Sequence, residues 1–519
     1  MNSLSRNSRD SGGAAHACPE PSRRARGVLG GVPPDSSPYI ESGAARERFA
    51  ATSQPLGSES WEQRTSFVIL SFEGPDQYSH AGGVGSRVDE LSRTLAGRGF
   101  ETHLFFIGDP ALAPYEVSHG GDLHLHRWCQ WISAYHPGGV YDGEEGKLRD
   151  WQDSLPVWLA NELVGPKVAA GESVVVLAEE WQTAETVVRL RQIVDANGWR
   201  PNVHLLWNAN NTFSFDRIDW QALEPAATIT TVSRYMKHEM WDRGVDPRVI
   251  PNGIEDAWLR PAQPTAVTRL KGLFARRLSI LKVGRFDPNK RWLSAIEAVA
   301  MLKHAGQRPL LVARGGSEAH GSEVFARAEA LGLSIESCAW SKDEGLPLAL
   351  GRHTGADVVF LDGNLCFDDR QALYQASNAV LANSAIEPFG LVGLEAMASG
   401  GLVLVGSTGE DYSIGGHDSI SLQTAGPAEI VHHLLDLTAH KDRAVRMRKA
   451  AKTAAARFSW PSVLDRALLP LLSEIGVDLP PPASPAPRPN RPVSASQPPD
   501  YLFTAATASR AVAPPVAPA

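Results

Sequence analysis

Two glutamates stand eight residues apart in the segment AIEPFGLVGLEAMASGG, Glu387 before a predicted helix and Glu395 inside it. The strand NAVLAN precedes them, and Gly390 begins the helix. Helical side chains lean towards the N-terminus, so both carboxylates can face one pocket at the helix mouth. The free amides of the first turn and the two carboxylates would suit an anion or the paired hydroxyls of a sugar. The alternative is a helix whose first-turn acid only pairs with the helix dipole.

Two cations follow another predicted strand, in the segment KVGRFDPNKRW. Arg285 and Lys290 lie in the loop after the strand LSILKVG, at the carboxyl end where open parallel sheets bind ligands. An arginine fork and a lysine point charge at this spacing can clamp a diphosphate. A solvated charged loop is the alternative, and it is the more common fate of these residue types.

A glycine-rich segment, SHAGGVGSRVDEL, follows the first predicted strand and opens a helix. Gly83 and Gly85 would let the backbone approach a ligand, and the exposed amides favour an anion. A dinucleotide fingerprint would need a glycine at Val88, which disfavours an NAD-linked dehydrogenase. A tight turn without a ligand is the alternative.

The elements around these segments alternate between strands and helices. Apolar runs such as SFVILSF, SVVVLA and VHLLW alternate with amphipathic patterns such as LSAIEAVAMLKHAG, which is typical of parallel sheets covered on both faces. The strands outnumber one sheet, so the sequence predicts an α/β protein with two doubly wound parallel sheets. We expect a disordered tail over 1–63, domains over 64–262 and 263–478, and a proline-rich disordered tail over 479–519. A return of the last helix to the first domain stays open.

The composition argues against several classes of protein. A net charge of −8 and a pI near 6.1 over 519 residues give no sign of a nucleic-acid partner. Four widely spaced cysteines predict neither a zinc site nor a disulfide framework, but a reduced, cytoplasmic setting. No apolar run is long enough for a membrane span, and the N-terminus lacks the apolar core of a signal peptide. Peripheral membrane contact stays open.

Together, the motifs resemble those of a known family. The pattern E-P-F-G-L-x-x-L-E-A-M-A-x-G is similar to the E-x7-E signature of retaining glycosyltransferases of family 4, which includes the bacterial glycogen-synthase relatives. Further likeness lies in the segments 81–85 (AGGVG), 174–185 (VVVLAEEWQTAE), 232–240 (VSRYMKHEM), 249–255 (VIPNGIE) and 284–290 (GRFDPNK). They follow the family's order over roughly residues 65 to 475, and their combination is far more specific than each alone.

The resemblance implies a GT-B architecture, in which two Rossmann-like domains face each other across a cleft. It implies transfer of a hexose from a nucleotide-sugar donor to a carbohydrate or other hydroxyl acceptor, with retention of anomeric configuration. Neither a metal ion nor a resident cofactor is expected. Cleft closure would exclude water and limit hydrolysis of the donor.

The resemblance also implies roles for individual residues. The catalytic group would be Glu387, which holds the donor sugar, with Arg285 and Lys290, which neutralise the leaving diphosphate where charge develops. Glu395 would hold the ribose hydroxyls. The donor would further meet the backbone of Gly83, Gly85, Phe389, Gly390 and Leu391.

The N-terminal half departs from the family pattern at two places. The family often carries a histidine beside the donor sugar, whereas the loop NANNTF offers Asn208 and Asn210. The glycogen-synthase branch ends a strand in His-Asp, where this chain has Glu179 and Glu180. Which of these four replaces the histidine stays open. The alternative function is an inactive GT-B scaffold that binds a nucleotide sugar or a partner protein, and the intact donor clamp argues against it.

An aromatic-rich stretch from about Pro110 to Gly171 interrupts the alternation of strands and helices, and the sequence predicts loops there; its aromatic side chains run from Trp128 to Trp158. In a GT-B topology this stretch would face the acceptor. Tryptophan and tyrosine faces stack well on sugar rings. The local core of an insertion explains the same residues equally well.

Overall fold

Short apolar runs form the strands of two separate sheets in a computed structural model, which describes residues 65–341, 343–363 and 365–479. Apart from residue 479, the two predicted tails lie outside the described residues. The domain limits at residues 262 and 478 stay predictions.

The first sheet has eight strands in the order β3-β4-β2-β1-β5-β6-β7-β8, and every pair is parallel except β3 with β4. Its strands are β1 (Thr65–Leu70), β2 (Thr102–Ile107), β3 (Tyr115–Ser118), β4 (Leu123–Trp128), β5 (Ser173–Glu179), β6 (Val203–Ala209), β7 (Thr228–Thr231) and β8 (Arg248–Val249). Its helices are α1 (Gly83–Gly97), α2 (Gln130–Ser133), α3 (Glu144–Trp158), α4 (Gly165–Ala169), α5 (Ala184–Ala196), α6 (Trp220–Leu223) and α7 (Arg234–Trp241).

The second sheet has seven strands in the order β11-β12-β10-β9-β13-β14-β15, all parallel. Its strands are β9 (Leu278–Val283), β10 (Pro309–Arg314), β11 (Ile335–Cys338), β12 (Val358–Leu361), β13 (Ala379–Ala382), β14 (Val403–Val405) and β15 (Ile420–Ser421). The helices of this half are α8 (Pro264–Phe274), α9 (Trp292–His304), α10 (His320–Ala330), α11 (Leu346–Gly351), α12 (Phe367–Ala376), α13 (Leu391–Ala398), α14 (Pro427–Ala439), α15 (Lys441–Ala455), α16 (Trp460–Val463) and α17 (Leu469–Glu474).

Each sheet has its own hydrophobic core, and the end of the described chain packs on the first sheet. Trp460, Leu464 and Leu468 are buried in one cluster with Phe67 and Ile69 of β1. Burial of side chains this large removes much apolar surface from water, which holds the chain end against the N-terminal half.

The aromatic-rich stretch predicted as loops contains β3, β4 and α3. Trp128 and Trp151 are fully buried there, so they form core, whereas Tyr141 stays 45% exposed. The predicted class of two doubly wound parallel sheets is confirmed. Within the described ranges, no helix combines the length and the apolar character needed to cross a membrane.

Candidate active site

The loops after β9 and β13 leave the second sheet at the same edge. β9 lies between β10 and β13, so the strand order reverses there. The two loops are joined, because the amide of Ala385 donates to the carbonyl of Asn289 at 2.6 Å. Ligands of open α/β sheets bind at such a reversal point.

Lys290 and Glu387 form an ion pair across these two loops, with Nζ 2.5 Å from Oε2. Their side chains keep 27% and 20% of their exposure, so the pair faces solvent rather than the core. Arg285 lies in the same loop as Lys290 and is exposed, and its guanidinium forms no hydrogen bond or ion pair with the residues that the structure describes. The structure thus brings Lys290 to Glu387 and places Arg285 in the loop that carries Lys290.

A second lysine lies near this ion pair. Lys282 of β9 is buried, and it donates to the side chain of Asn383 in the loop after β13. Burial holds its pKa well below the ordinary value, and the nearby charge of Lys290 adds to the effect. The pattern of LSILKVG predicted a buried strand, but it did not indicate that the side chain of Lys282 is itself buried.

Gly390 allows the chain to turn tightly into α13. It is the N-cap residue, with a φ of 83°, and a side chain here would place Cβ 3.0 Å from Cγ of Glu387. The hydroxyl of Tyr412 donates to the Gly390 carbonyl at 2.6 Å, and Phe389 is buried beside the Tyr412 ring. The turn therefore holds the first-turn amides of α13, which have no partner inside the helix, next to Glu387.

Glu395 has partners of its own. Its Oε2 accepts the hydroxyl of Tyr374 at 3.0 Å and lies 3.7 Å from Nη1 of Arg370, both on α12. Burial raises the pKa of Glu395, although Arg370 and Tyr374 favour the charged form. Arg370 and Tyr374 therefore hold the carboxylate of Glu395 in position within α13.

Tyr412 links the predicted glutamates. Burial raises its pKa well above the ordinary value, and the charges of Glu410, Glu387 and Glu395 raise it further. The charges of both predicted carboxylates, Glu387 and Glu395, therefore influence the ionisation of the same Tyr412 hydroxyl. Glu410 is a buried acid whose pKa burial raises to about 7, with Glu387 adding to the shift.

The glycine loop of the first sheet faces α13 but holds a carboxylate of its own chain. A Cβ built at Gly83 would lie 3.9 Å from the side chain of Leu391. The carboxylate of Glu73 accepts the amides of Gly82 at 2.9 Å and Gly85 at 3.0 Å. A third bond, to the amide of Ala81, is 3.3 Å long. The predicted anion-binding amides therefore lie near α13, and Glu73 occupies three of them.

The four residues considered as replacements for a histidine form one network at the end of β5. Glu179 is buried, and its Oε2 accepts the side-chain amides of Asn208 and Asn210, each at 2.7 Å. Its Oε1 accepts Nε of Arg87 at 2.9 Å. The carboxylate of Glu179 thus accepts hydrogen bonds from three side chains, whereas the carboxyl of Glu180 beside it is bound by Asn210 alone among the described residues.

Sequence reasoning missed several residues of this region. Tyr374, Arg370, Glu410 and Glu73 were not singled out, because none lies in a motif of recognisable spacing. A usable signal was present for Glu73 and Glu410, since each follows a predicted strand by a few residues and so falls at the ligand-binding edge of its sheet.

Known proteins resemble this chain along most of its length. Residues 271–454 match the family described as "Glycosyl transferases group 1", a segment that contains Lys290, Glu387 and Glu395. A "D-inositol 3-phosphate glycosyltransferase" of Acidothermus cellulolyticus is 25% identical in an alignment 463 residues long that covers 81% of this chain and 92% of the relative.

Two solved structures share the fold. Sucrose-phosphate synthase from Thermosynechococcus elongatus gives a TM-score of 0.55 at 18% identity, and covers 80% of this chain and 99% of its own. The catalytic domain of starch synthase IV from Arabidopsis thaliana, bound to ADP and acarbose, gives 0.58 at 14% identity with the same coverage. The matches confirm the predicted resemblance, its GT-B fold and the prediction of an enzyme, and they give no support to the inactive scaffold.

Proposed function

We propose that this chain, whose residues 271–454 match the group 1 glycosyltransferases, transfers a hexose from a nucleotide-sugar donor to a hydroxyl acceptor with retention of anomeric configuration. The observation that carries the proposal is the Lys290–Glu387 pair at the reversal point of the second sheet. One partner suits the donor phosphates, and the other suits the donor sugar.

The cations of the β9 loop would act on the leaving group. Negative charge develops on the diphosphate as its bond to the sugar breaks, and a cation placed there in advance stabilises the transition state. Lys290 is held in position by Glu387, and Arg285 is free to turn towards the diphosphate. On approach of the donor, Lys290 would exchange part of its contact with Glu387 for a phosphate oxygen.

The remaining contacts would orient the donor. Glu395, held by Tyr374 and Arg370, would accept the ribose hydroxyls, and Glu387 would accept sugar hydroxyls. The first-turn amides of α13 would meet the sugar and phosphate groups, with the glycine loop opposite. Orientation of this kind lowers the entropic part of the barrier.

Two further features belong to the proposal. Arg285 and Lys290 would do the work for which other transferases use a divalent cation, so no metal ion and no resident cofactor are required. The curated relatives are named for the acceptor D-inositol 3-phosphate. The acceptor of this chain depends on the charges of the N-terminal side of the cleft.

Donor hydrolysis and transfer, measured with a panel of UDP-, GDP- and ADP-sugars, test the function. We expect Lys290→Met and Glu387→Gln each to lower kcat by about 100-fold or more, since each removes a group that acts on the developing charge or on the sugar. EDTA should leave the wild-type rate unchanged. NMR of the product should show the anomeric configuration of the donor.

Lys271→Met provides a matched control, because Lys271 is an exposed lysine of α8 in the same half of the chain. Its rate should stay within about twofold of wild type. The proposal is wrong if no donor is bound or turned over, or if Lys290→Met and Glu387→Gln both keep the wild-type rate.

A further inference from the structure

Three buried carboxyl groups lie at the carboxyl ends of neighbouring strands in the first sheet. Glu73 follows β1, Glu179 ends β5 and Glu180 follows it, and β1 pairs with β5 where the strand order reverses. The reversal point of the second sheet carries Lys282, Arg285 and Lys290 beside Glu387, whereas this one carries three carboxyl groups, of which Glu179 pairs with Arg87. If the chain is the transferase proposed above, this is the edge that faces the acceptor.

Glu180 differs from its neighbour in backbone geometry and in partners. Its φ and ψ are 69° and 168°, a conformation that residues other than glycine adopt only when the surrounding structure enforces it. Among the described residues its carboxyl accepts hydrogen bonds from Asn210 alone, with the amide 2.8 Å from Oε1. The strained backbone thus holds at the end of β5 a carboxyl group with hydrogen-bonding capacity beyond its bonds to Asn210.

Burial, with the nearby charges of Glu179 and Glu73, raises the pKa of Glu180 to about 8. At neutral pH the group is therefore mostly protonated, and it can both donate and accept a hydrogen bond. A neutral carboxyl group matches a hydroxyl, which also does both.

The groups around Glu180 that could hold an anion are already occupied. Glu73 fills three amides of the glycine loop, and its Oε1 also accepts the hydroxyl of Tyr141 at 2.6 Å. The Tyr141 side chain keeps 45% of its exposure; its partial burial raises its pKa, and the charges of Glu73, Glu180 and Glu144 raise it further. An incoming phosphate would meet acids here rather than free amides.

The cations of this region are bound to the protein as well. Arg87 is held by Glu179 and Asn252, and Lys147 is buried, donating to the Tyr78 hydroxyl at 2.7 Å and to two carbonyls. Arg217 stacks on Trp181 and pairs with Glu145. In the part of the chain that the structure describes, these three basic side chains next to the carboxyl cluster all have protein partners.

We propose that the acceptor is an uncharged polyhydroxyl compound that hydrogen-bonds to Glu180, and that acceptors bearing a phosphate monoester are rejected. A phosphate monoester carries a charge of about −1.5 to −2 near pH 7. Placing it against Glu73, where the three basic side chains named above are already paired, adds repulsion on top of lost hydration. The proposal rests on the proposed transferase function and names the substrate class of the same cleft.

Matched pairs of acceptors test it, such as myo-inositol with D-inositol 3-phosphate and glucose with glucose 6-phosphate. With any donor that the enzyme hydrolyses, we expect kcat/KM for the uncharged member to be at least about 100-fold higher. Thermal stabilisation in the presence of the nucleotide diphosphate reports acceptor binding for pairs that turn over slowly.

Glu180→Gln separates selection from structure. Glutamine keeps the shape but cannot ionise. At neutral pH, where Glu180 is mostly protonated, we expect the preference of the variant for the uncharged acceptor to lie within about twofold of wild type, and above about pH 8 to be about tenfold weaker than in wild type. In wild type the preference should grow above about pH 8 as Glu180 ionises, beyond the range where the phosphate itself titrates. The groups that face Glu180 are Glu179, Glu73, Tyr141 and Asn210, and they are unchanged in the variant, whose preference should not vary with pH.

The outcomes are distinct. Donor hydrolysis together with preferred use of the phosphorylated acceptors overturns the inference and leaves the transferase function standing. The inference is also overturned, and the transferase function left standing, if the enzyme hydrolyses a donor but no uncharged acceptor is bound or used. Failure to bind or hydrolyse any donor sinks the proposed function, and the inference with it.

Discussion

Replacing Glu180 by glutamine should change how the stability of the protein depends on pH. The folded protein holds the pKa of Glu180 at about 8, against an ordinary value of 4.5, because the carboxyl is buried beside Glu179 and Glu73. Below about pH 4.5 the group is protonated in both the folded and the unfolded chain, and its contribution to stability is fully present. As the pH rises from there through 8, the unfolded chain gains stability by releasing a proton that the folded chain keeps.

The size of the effect follows from the two pKa values. One pKa unit corresponds to about 1.4 kcal/mol, so the whole interval would cost the wild type roughly 5 kcal/mol, an upper limit. Between pH 6 and 8 the wild type should lose about 2 to 3 kcal/mol of unfolding free energy relative to Glu180→Gln. The glutamine stays neutral throughout, and its carbonyl can still accept the amide of Asn210.

Thermal unfolding of both proteins, followed at pH 6, 7 and 8, measures the effect. The melting temperature of the variant should rise relative to wild type across the series, whereas the exposed control Glu162→Gln should run parallel to wild type. Parallel curves for Glu180→Gln and wild type would show that Glu180 ionises normally. In that case both the buried position and the role in acceptor selection would be wrong.

Two further substitutions test the two sides of the cleft. In α13, Gly393→Ala would place Cβ 2.3 Å from the hydroxyl of Tyr412 and should cost about 2 to 4 kcal/mol of stability. Tyr412→Phe removes that hydroxyl, so adding it to Gly393→Ala should restore most of the lost stability. If the two substitutions have additive effects in a double-mutant cycle, this packing contact is wrong. In the first half, Glu73→Ala frees the amides of Ala81, Gly82 and Gly85. Inorganic phosphate should then raise the melting temperature of this variant but not that of wild type, and equal shifts would show that Glu73 does not block an anion site.

The Lys290–Glu387 pair of the candidate site could be predicted because its position follows from local sequence patterns. A buried apolar run followed by a loop places Lys290 and Glu387 at the carboxyl ends of strands. Parallel strands bring those ends to one edge. The fold class could be predicted from the alternation of strands and helices alone, because crossover connections between parallel strands are almost always right-handed.

The partners of these residues could not be predicted in the same way. Glu395 depends on Tyr374 and Arg370, which belong to a different helix, and nothing in the spacing of α12 indicates that its side chains reach α13. Glu73 reaches the glycine loop by a fold of the chain between them that has no helical or strand period. Such contacts are set by tertiary packing, so a sequence motif identifies only one of the two residues in each contact.

In the proposed reaction, the different charges of the two reversal points would orient the donor by repulsion as well as by attraction. A diphosphate could approach Lys290 and Arg285, but on the N-terminal side it would meet Glu73, which already accepts the amides of Gly82 and Gly85. Specificity often needs such an unfavourable element besides the favourable one. The glycine loop keeps the backbone shape of an anion site, and we expect Glu73 to make it a poor competitor for the donor phosphates. A leaving diphosphate would then be drawn towards the C-terminal half, and the N-terminal half would be left for a hydroxyl group without charge.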